Sequence, residues 1–186
     1  MDKKYEFVSG DTKCFAGETL KRIRSLRDIP GVVVKGDLGG YIRATKNLSH
    51  EGDCWVGKDA CVAGEAVVFD NAIVTDRSEV YGFADVRNNA VICGEAKVFE
   101  RAMVFGNATV FGNAQVSGDA LVYHFAMVGG QSEIHGFANV CDNARLIGRA
   151  IPSDHAVFGG DICVTGFSFI DLEMVSNTQR VVAPSC

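Results

Sequence analysis

Ala102-Met103-Val104-Phe105-Gly106-Asn107-Ala108-Thr109-Val110-Phe111-Gly112-Asn113-Ala114-Gln115-Val116 repeats one pattern with a six-residue step. The unit is Val-x-Gly-Asn-Ala-x, as in Val104-Phe105-Gly106-Asn107-Ala108-Thr109. Working outward in both directions, every sixth residue is small: Cys54, Ala60, Ala66, Ala72, Ser78, Ala84, Ala90, Ala96, then Ala120, Ala126, Ser132, Ala138, Ala144, Ala150 and Ala156. Two places after these slots runs an aliphatic series from Val56 through Val62, Val68, Val74, Val80, Val86, Ile92 and Val98 to Val140 and Leu146. The register does not slip between Cys54 and Leu146, which marks a repeat architecture.

The chemistry of the unit gives its local shape. Ala-x-Val alternates inward and outward with the two-residue period of a strand. β-Branched Val suits a pleated surface. Gly-Asn and Gly-Asp beside it tolerate left-handed backbone angles and therefore turn the chain. Each hexad is a short strand plus a corner, and the Ala slot beside the corner leaves room only for a small side chain.

A second period sets the size of the coil. Gly94, Gly112, Gly130 and Gly148 recur every 18 residues. So do Gly64, Gly82, Gly118 and Gly136, with Glu100 interrupting, and Asn71, Asn89, Asn107 and Asn143, with Phe125 interrupting. Three strands per coil follow, stacked at about 4.8 Å into a rod about 30 Å tall. The expectation is an all-β, triangular parallel β-helix of about six coils over residues 48–165. Its ends need covers, because an open coil is an unpaired sheet edge. Residues 1–47 lack the register and carry strand-like runs at Thr19–Arg24 and Gly31–Val34, so they are expected to cap the first coil. Pro152, Phe158 and Ile162 mark a decaying register, and residues 166–186, with Phe167-Ser168-Phe169-Ile170-Asp171-Leu172, are expected to fold back as a closing tail.

Composition narrows the function. The chain has 186 residues, a one-domain length, and a net charge of −5, which opposes a nonspecific nucleic-acid binder. No apolar run reaches the roughly 18 residues of a membrane span, and Met1–Glu6 reads as no signal peptide. Seven cysteines, an odd number without a C-x-x-C pair, are expected to be reduced thiols in a cytoplasm. There is no P-loop, dinucleotide fingerprint or nucleophile elbow, so no cofactor is expected.

The hexads resemble the hexapeptide-repeat superfamily, whose members form left-handed β-helices and include acyltransferases and γ-class carbonic anhydrases. The glycine sits one place later than in the usual transferase motif. That variant, with Gly39-Gly40-Tyr41-Ile42, Asn47-Leu48-Ser49 and Gly52-Asp53-Cys54-Trp55-Val56, resembles the YdcK-like hexapeptide proteins of enteric bacteria and their phages or prophages. The resemblance covers about residues 36–150 and implies the left hand of the helix, which the period alone does not fix.

It also raises an enzyme reading, an acyl-CoA-dependent acyltransferase with a His general base at a site between subunits. The candidates are His124 and His135, with His135 on a side shared with Tyr81 and Phe99. Neither lies in an inserted loop, and a smooth side of the rod is expected to offer neither an orienting partner nor a substrate cleft. Zinc of the γ-class type is not expected, because the spacings of His124, His135 and His155 put no two in one stacked column.

The binding reading rests on the outward slots. Phe69, Arg87, Phe105, Tyr123 and Cys141 form one column. Ile73, Val91, Thr109, Met127 and Arg145 are expected to form a parallel column on the same side. An apolar outer surface of this kind marks an interface, and aromatics, Met and Arg are enriched in interface cores. The expected binding residues are Phe69, Arg87, Val91, Phe105, Tyr123 and Met127. The function expected is a non-enzymatic binding or scaffold protein that self-associates as a dimer or trimer. The phage-borne relatives imply a variant of that reading, a small inhibitor seated on a host protein complex.

Overall fold

The computed structural model describes residues 3–152, 154–170, 174–175 and 180–182. Each repeat forms a two-residue strand and a corner, because only the small and the aliphatic slots can point inward. Ala102 and Val104 are fully buried while Met103 between them faces outward, half-buried. Met103–Val104 pairs in parallel with Asp85–Val86 before it and Leu121–Val122 after it, one coil away on either side. Ser78 and Ser132 replace Ala without harm, since their hydroxyls donate to Thr75 O at 2.7 Å and Gly129 O at 2.9 Å.

About seven coils stack, and three sheets form among the described residues. The first face carries Cys61–Val62, Glu79–Val80, Lys97–Val98, Gln115–Val116 and Glu133–Ile134. The second carries Val67–Val68, Asp85–Val86, Met103–Val104, Leu121–Val122, Asn139–Val140, Val157–Phe158 and Met174–Val175. The third carries Trp55–Val56, Ile73–Val74, Val91–Ile92, Thr109–Val110, Met127–Gly130, Arg145–Pro152, Cys163–Ile170 and Arg180–Val182. Stacked aliphatic side chains and alanines fill the interior.

Corners recur where every sixth residue is left-handed, glycine or not: Asp70 has φ 57°, Asn88 57°, Glu100 60°, His124 58° and Asp142 58°. The Asp, Asn and Glu corners offset that strain by accepting a backbone N–H from the corner one coil on. Asp70 takes Asn88 N–H at 3.1 Å, Asp76 takes Gly94 N–H at 3.0 Å, and Asn88 takes Gly106 N–H at 3.2 Å. Glu100 does the same for Gly118 and Asp142 for Gly160. The Asn column is a ladder of side-chain amides, Asn71 to Asn89 at 3.1 Å and Asn89 to Asn107 at 3.2 Å, broken by an exposed Phe125.

At the start of the chain, β1 (Tyr5–Phe15) and β2 (Glu18–Ser25) form an antiparallel hairpin. β2 pairs with β3 (Leu38–Ile42), which joins the first face in parallel beside Cys61–Val62. Leu20 and Phe15 of the hairpin pack with Cys61, Ala63 and Tyr81, so part of the outer surface of the first face is covered. The run Gly31–Val34 is not a strand. It belongs to a loop whose Val32 and Val34 are exposed, held by a bridge between Ile29 and Val33.

Near the other end the inward register persists beyond Leu146, with Ala150, Ala156, Phe158, Ile162 and Val164 all fully buried. Residues 163–170 lie in one strand parallel to Arg145–Pro152, so Phe167–Ile170 extend the third face instead of folding back. The rest of the expected closing tail falls in large part on 171–173, 176–179 and 183–186, outside the described residues.

Candidate interaction surface

On the second face, two outward columns flank the buried valines. Val67, Asp85, Met103, Leu121 and Asn139 precede them, and Phe69, Arg87, Phe105, Tyr123 and Cys141 follow them. The second column is a continuous stack. The Arg87 guanidinium lies 6.0 Å from the Phe69 ring centroid and 5.2 Å from that of Phe105, within cation–π range. Phe105 and Tyr123 stack at 5.0 Å with planes 6° apart. A hydrogen bond to Cys141, reinforced by burial, pushes the Tyr123 phenol up to about 12.

Asp85 is the anomaly of the face. Its Oδ1 is buried and has no hydrogen-bond partner among the described residues, and the Nε of Arg87 is 3.9 Å away, an ion pair too long for a hydrogen bond. Burial lifts its carboxyl above the ordinary range, outweighing the pull of Arg87. Beside it runs a groove of about 560 Å³ lined by Phe83, Asp85, Arg101, Met103, Asp119 and Leu121. Phe83 is 68% exposed.

The expected companion column lies elsewhere. Asp70 and Asn71 turn the chain between Phe69 and Ile73, and the same corner recurs in each coil. Ile73, Val91, Thr109, Met127 and Arg145 therefore belong to the third face, and Val91 and Met127 do not join Phe69, Arg87, Phe105 and Tyr123. Met103 and Leu121 are the residues that do, and the sequence reading omits them. The signal was present: they stand two places before Phe105 and Tyr123, whereas Val91 stands four places after Arg87 and Met127 four after Tyr123, across a corner. On the third face, Ile29 and Val33 are buried in one cluster with Trp55. A groove of about 670 Å³ runs from Val32 and Leu38 over Trp55 to Ile73 and Val91.

The histidines are not bare surface groups. His124 Nδ1 lies 3.0 Å from Asp142 Oδ1, and His135 Nδ1 lies 2.8 Å from Asp154 Oδ1. Each thus has the orienting carboxylate that the sequence reading expected to be missing. Both are more than a third exposed, and neither groove described above reaches them. His124 occupies a left-handed corner, where its bond to Asp142 continues the corner ladder. His135 stands in the column of Tyr81 and Phe99, which stack at 5.0 Å. His50 stacks on Tyr5 at 4.3 Å and accepts the backbone N–H of Lys4 at 3.2 Å. Among the described residues no three His, Cys, Asp or Glu side chains converge as metal ligands, and no helix is long and apolar enough to cross a membrane. Comparison with known protein families finds no match, and comparison with curated proteins finds none either.

Proposed function

We propose that this protein is a non-enzymatic binding or scaffold protein that self-associates through its second face. Its likeness to the left-handed hexapeptide-repeat proteins belongs to the same reading. The observation that carries it is the Asp85 carboxylate set in the column of Val67, Met103 and Leu121, its Oδ1 without a hydrogen bond among the described residues and 3.9 Å from the Arg87 Nε, a long ion pair. A patch that holds an acid and a base side by side is complementary to itself under a two-fold axis, since each Arg87 then meets the other copy's Asp85. The aromatic stack beside it supplies flat, rigid contact area of the kind interfaces use.

The test is the mass of the protein in solution by light scattering, for the native chain and for Phe105→Glu with Tyr123→Glu. The reading requires a dimer that becomes a monomer in the variant, with the strand signal in circular dichroism retained. A native monomer removes it. A native monomer that holds a foreign protein on this face would move the reading to the phage-type inhibitor.

One observation favours acyl transfer instead, the carboxylate partners of His124 and His135. That reading requires a loss of activity in vivo when His135→Ala or His124→Ala is introduced. Unchanged activity in both ends it.

A further inference from the structure

Lys4 and Cys54 are both fully buried, and the Lys4 Nζ donates to Cys54 Sγ at 3.0 Å. The amine also reaches Glu51 O at 3.3 Å and Gly52 O at 3.4 Å. Among the described residues these are its three acceptors, and none is a carboxylate. The neighbouring acid, Asp53, is taken by Arg27 at 3.1 Å. A lysine almost never enters a protein interior without an acid to meet it, so its contact with a thiol calls for an explanation. Three carbonyls, those of Ser49, Glu51 and Val68, lie near the sulfur. Tyr5, His50, Arg27 and Asp53 complete the surroundings.

We infer that Lys4 and Cys54 form an oxidant-driven covalent tie, in which hydrogen peroxide joins Nζ to Sγ and locks β1 onto the first coil. The chemistry balances in two steps. The thiol attacks the O–O bond of peroxide, giving a sulfenic acid and one water. The amine lone pair then attacks the sulfenyl sulfur. The N–S bond forms, the S–O bond breaks, and the hydroxyl leaves with one amine proton as a second water. Sulfur is oxidised by two electrons, peroxide is reduced to water, and the nitrogen keeps one hydrogen.

The geometry suits the second step. The amine nitrogen already lies 3.0 Å from the sulfur it would attack, and burial lowers the affinity of Lys4 for its proton, which raises the share of neutral, nucleophilic amine. Burial raises the Cys54 thiol and the Lys4 contact opposes that only in part, so the approach of amine to sulfur, and not thiol acidity, favours the tie. Cys61 also has a lysine contact, from Lys13, while Cys14 is exposed and serves as an internal control.

The experiment treats the folded full chain with hydrogen peroxide, cleaves it with a glutamate-specific protease and reads the peptides by mass spectrometry. The expected product is Met1–Glu6 joined to Gly52–Glu65, lighter than the separate pair by two hydrogen atoms. Fragmentation should place the link on Lys4 and Cys54, and dithiothreitol should release it. Lys4→Arg and Cys54→Ser should each abolish the joined peptide. Recovery of Met1–Glu6 free, with Cys54 either still a thiol or carried on to sulfinic acid while Cys14 is oxidised, overturns the inference.

Discussion

His124 Nδ1 and Asp142 Oδ1 sit 3.0 Å apart across one coil, while the other oxygen of Asp142 accepts Gly160 N–H at 3.0 Å. Together they carry the corner ladder that Asp70, Asn88 and Gly106 begin higher on the same edge. A histidine used this way is a structural corner. His124→Asn should therefore keep both the fold and the solution mass, since Asn tolerates the left-handed corner and can bond Asp142. Thermal unfolding and light scattering check this. A folded variant that loses in vivo function would instead assign His124 a chemical role.

Glycine corners test the same ladder from the other side. Gly118 has φ 70°, and a Cβ there would lie 2.7 Å from Gly136 N. Gly118→Ala should lower the unfolding free energy by about 1–2 kcal/mol, the cost of a left-handed non-glycine residue. Gly118→Asn should cost less, because its side chain can accept Gly136 N–H as Asn88 accepts that of Gly106. Denaturant titration ranks the two variants, and Asn costing more than Ala would contradict the ladder.

The interior and the coil length were legible because each rests on a slot that repeats in the sequence. Ala108, Val110 and Gly112 mean the same thing in every coil. Which outward residues share a face was not legible to the same degree. It depends on where in the hexad the backbone turns, and at several corners the left-handed residue is Asp, Asn, Glu or His instead of glycine. Met103 shares the face of Phe105, and Met127 leaves that of Tyr123, because the turns fall at Glu100 and at His124. The hairpin β1–β2 and the contact of Lys4 with Cys54 lie wholly outside periodic reasoning. The hairpin lies before the first repeat, and Lys4 and Cys54 are 50 residues apart, where no slot repeats.

Acid should destabilise the rod, with a sign that follows from its carboxylates. Asp76 is held low by Lys58 and Gly94 N–H, Glu65 by Lys46 and Arg43, and Asp142 by Gly160 N–H and His124. A depressed folded value means stability that is present above the ordinary carboxylate range, about pH 4, and lost as pH falls through the folded values. The melting temperature should be flat from neutral pH down to about 5 and fall below about 4. Replacing all three with their amides should flatten that acid limb, as measured by melting curves at each pH.

Asp85 separates what stabilises the single chain from what joins two copies. Its Oδ1 is buried without a hydrogen bond, which destabilises the rod at neutral pH, and its raised value means the penalty grows as pH rises through the carboxylate range. Asp85→Leu matches its column neighbours Met103 and Leu121 and should raise the unfolding free energy of the dilute chain by about 1–3 kcal/mol, the cost of an unsatisfied buried group. The same change removes the acid that Arg87 of a second copy would meet. Self-association should then weaken while stability rises, two opposite shifts from one substitution. Denaturation at low concentration reads the first, and sedimentation across a concentration series reads the second. A variant that gains stability and dimerises as well as the native chain would place the self-interface on another face.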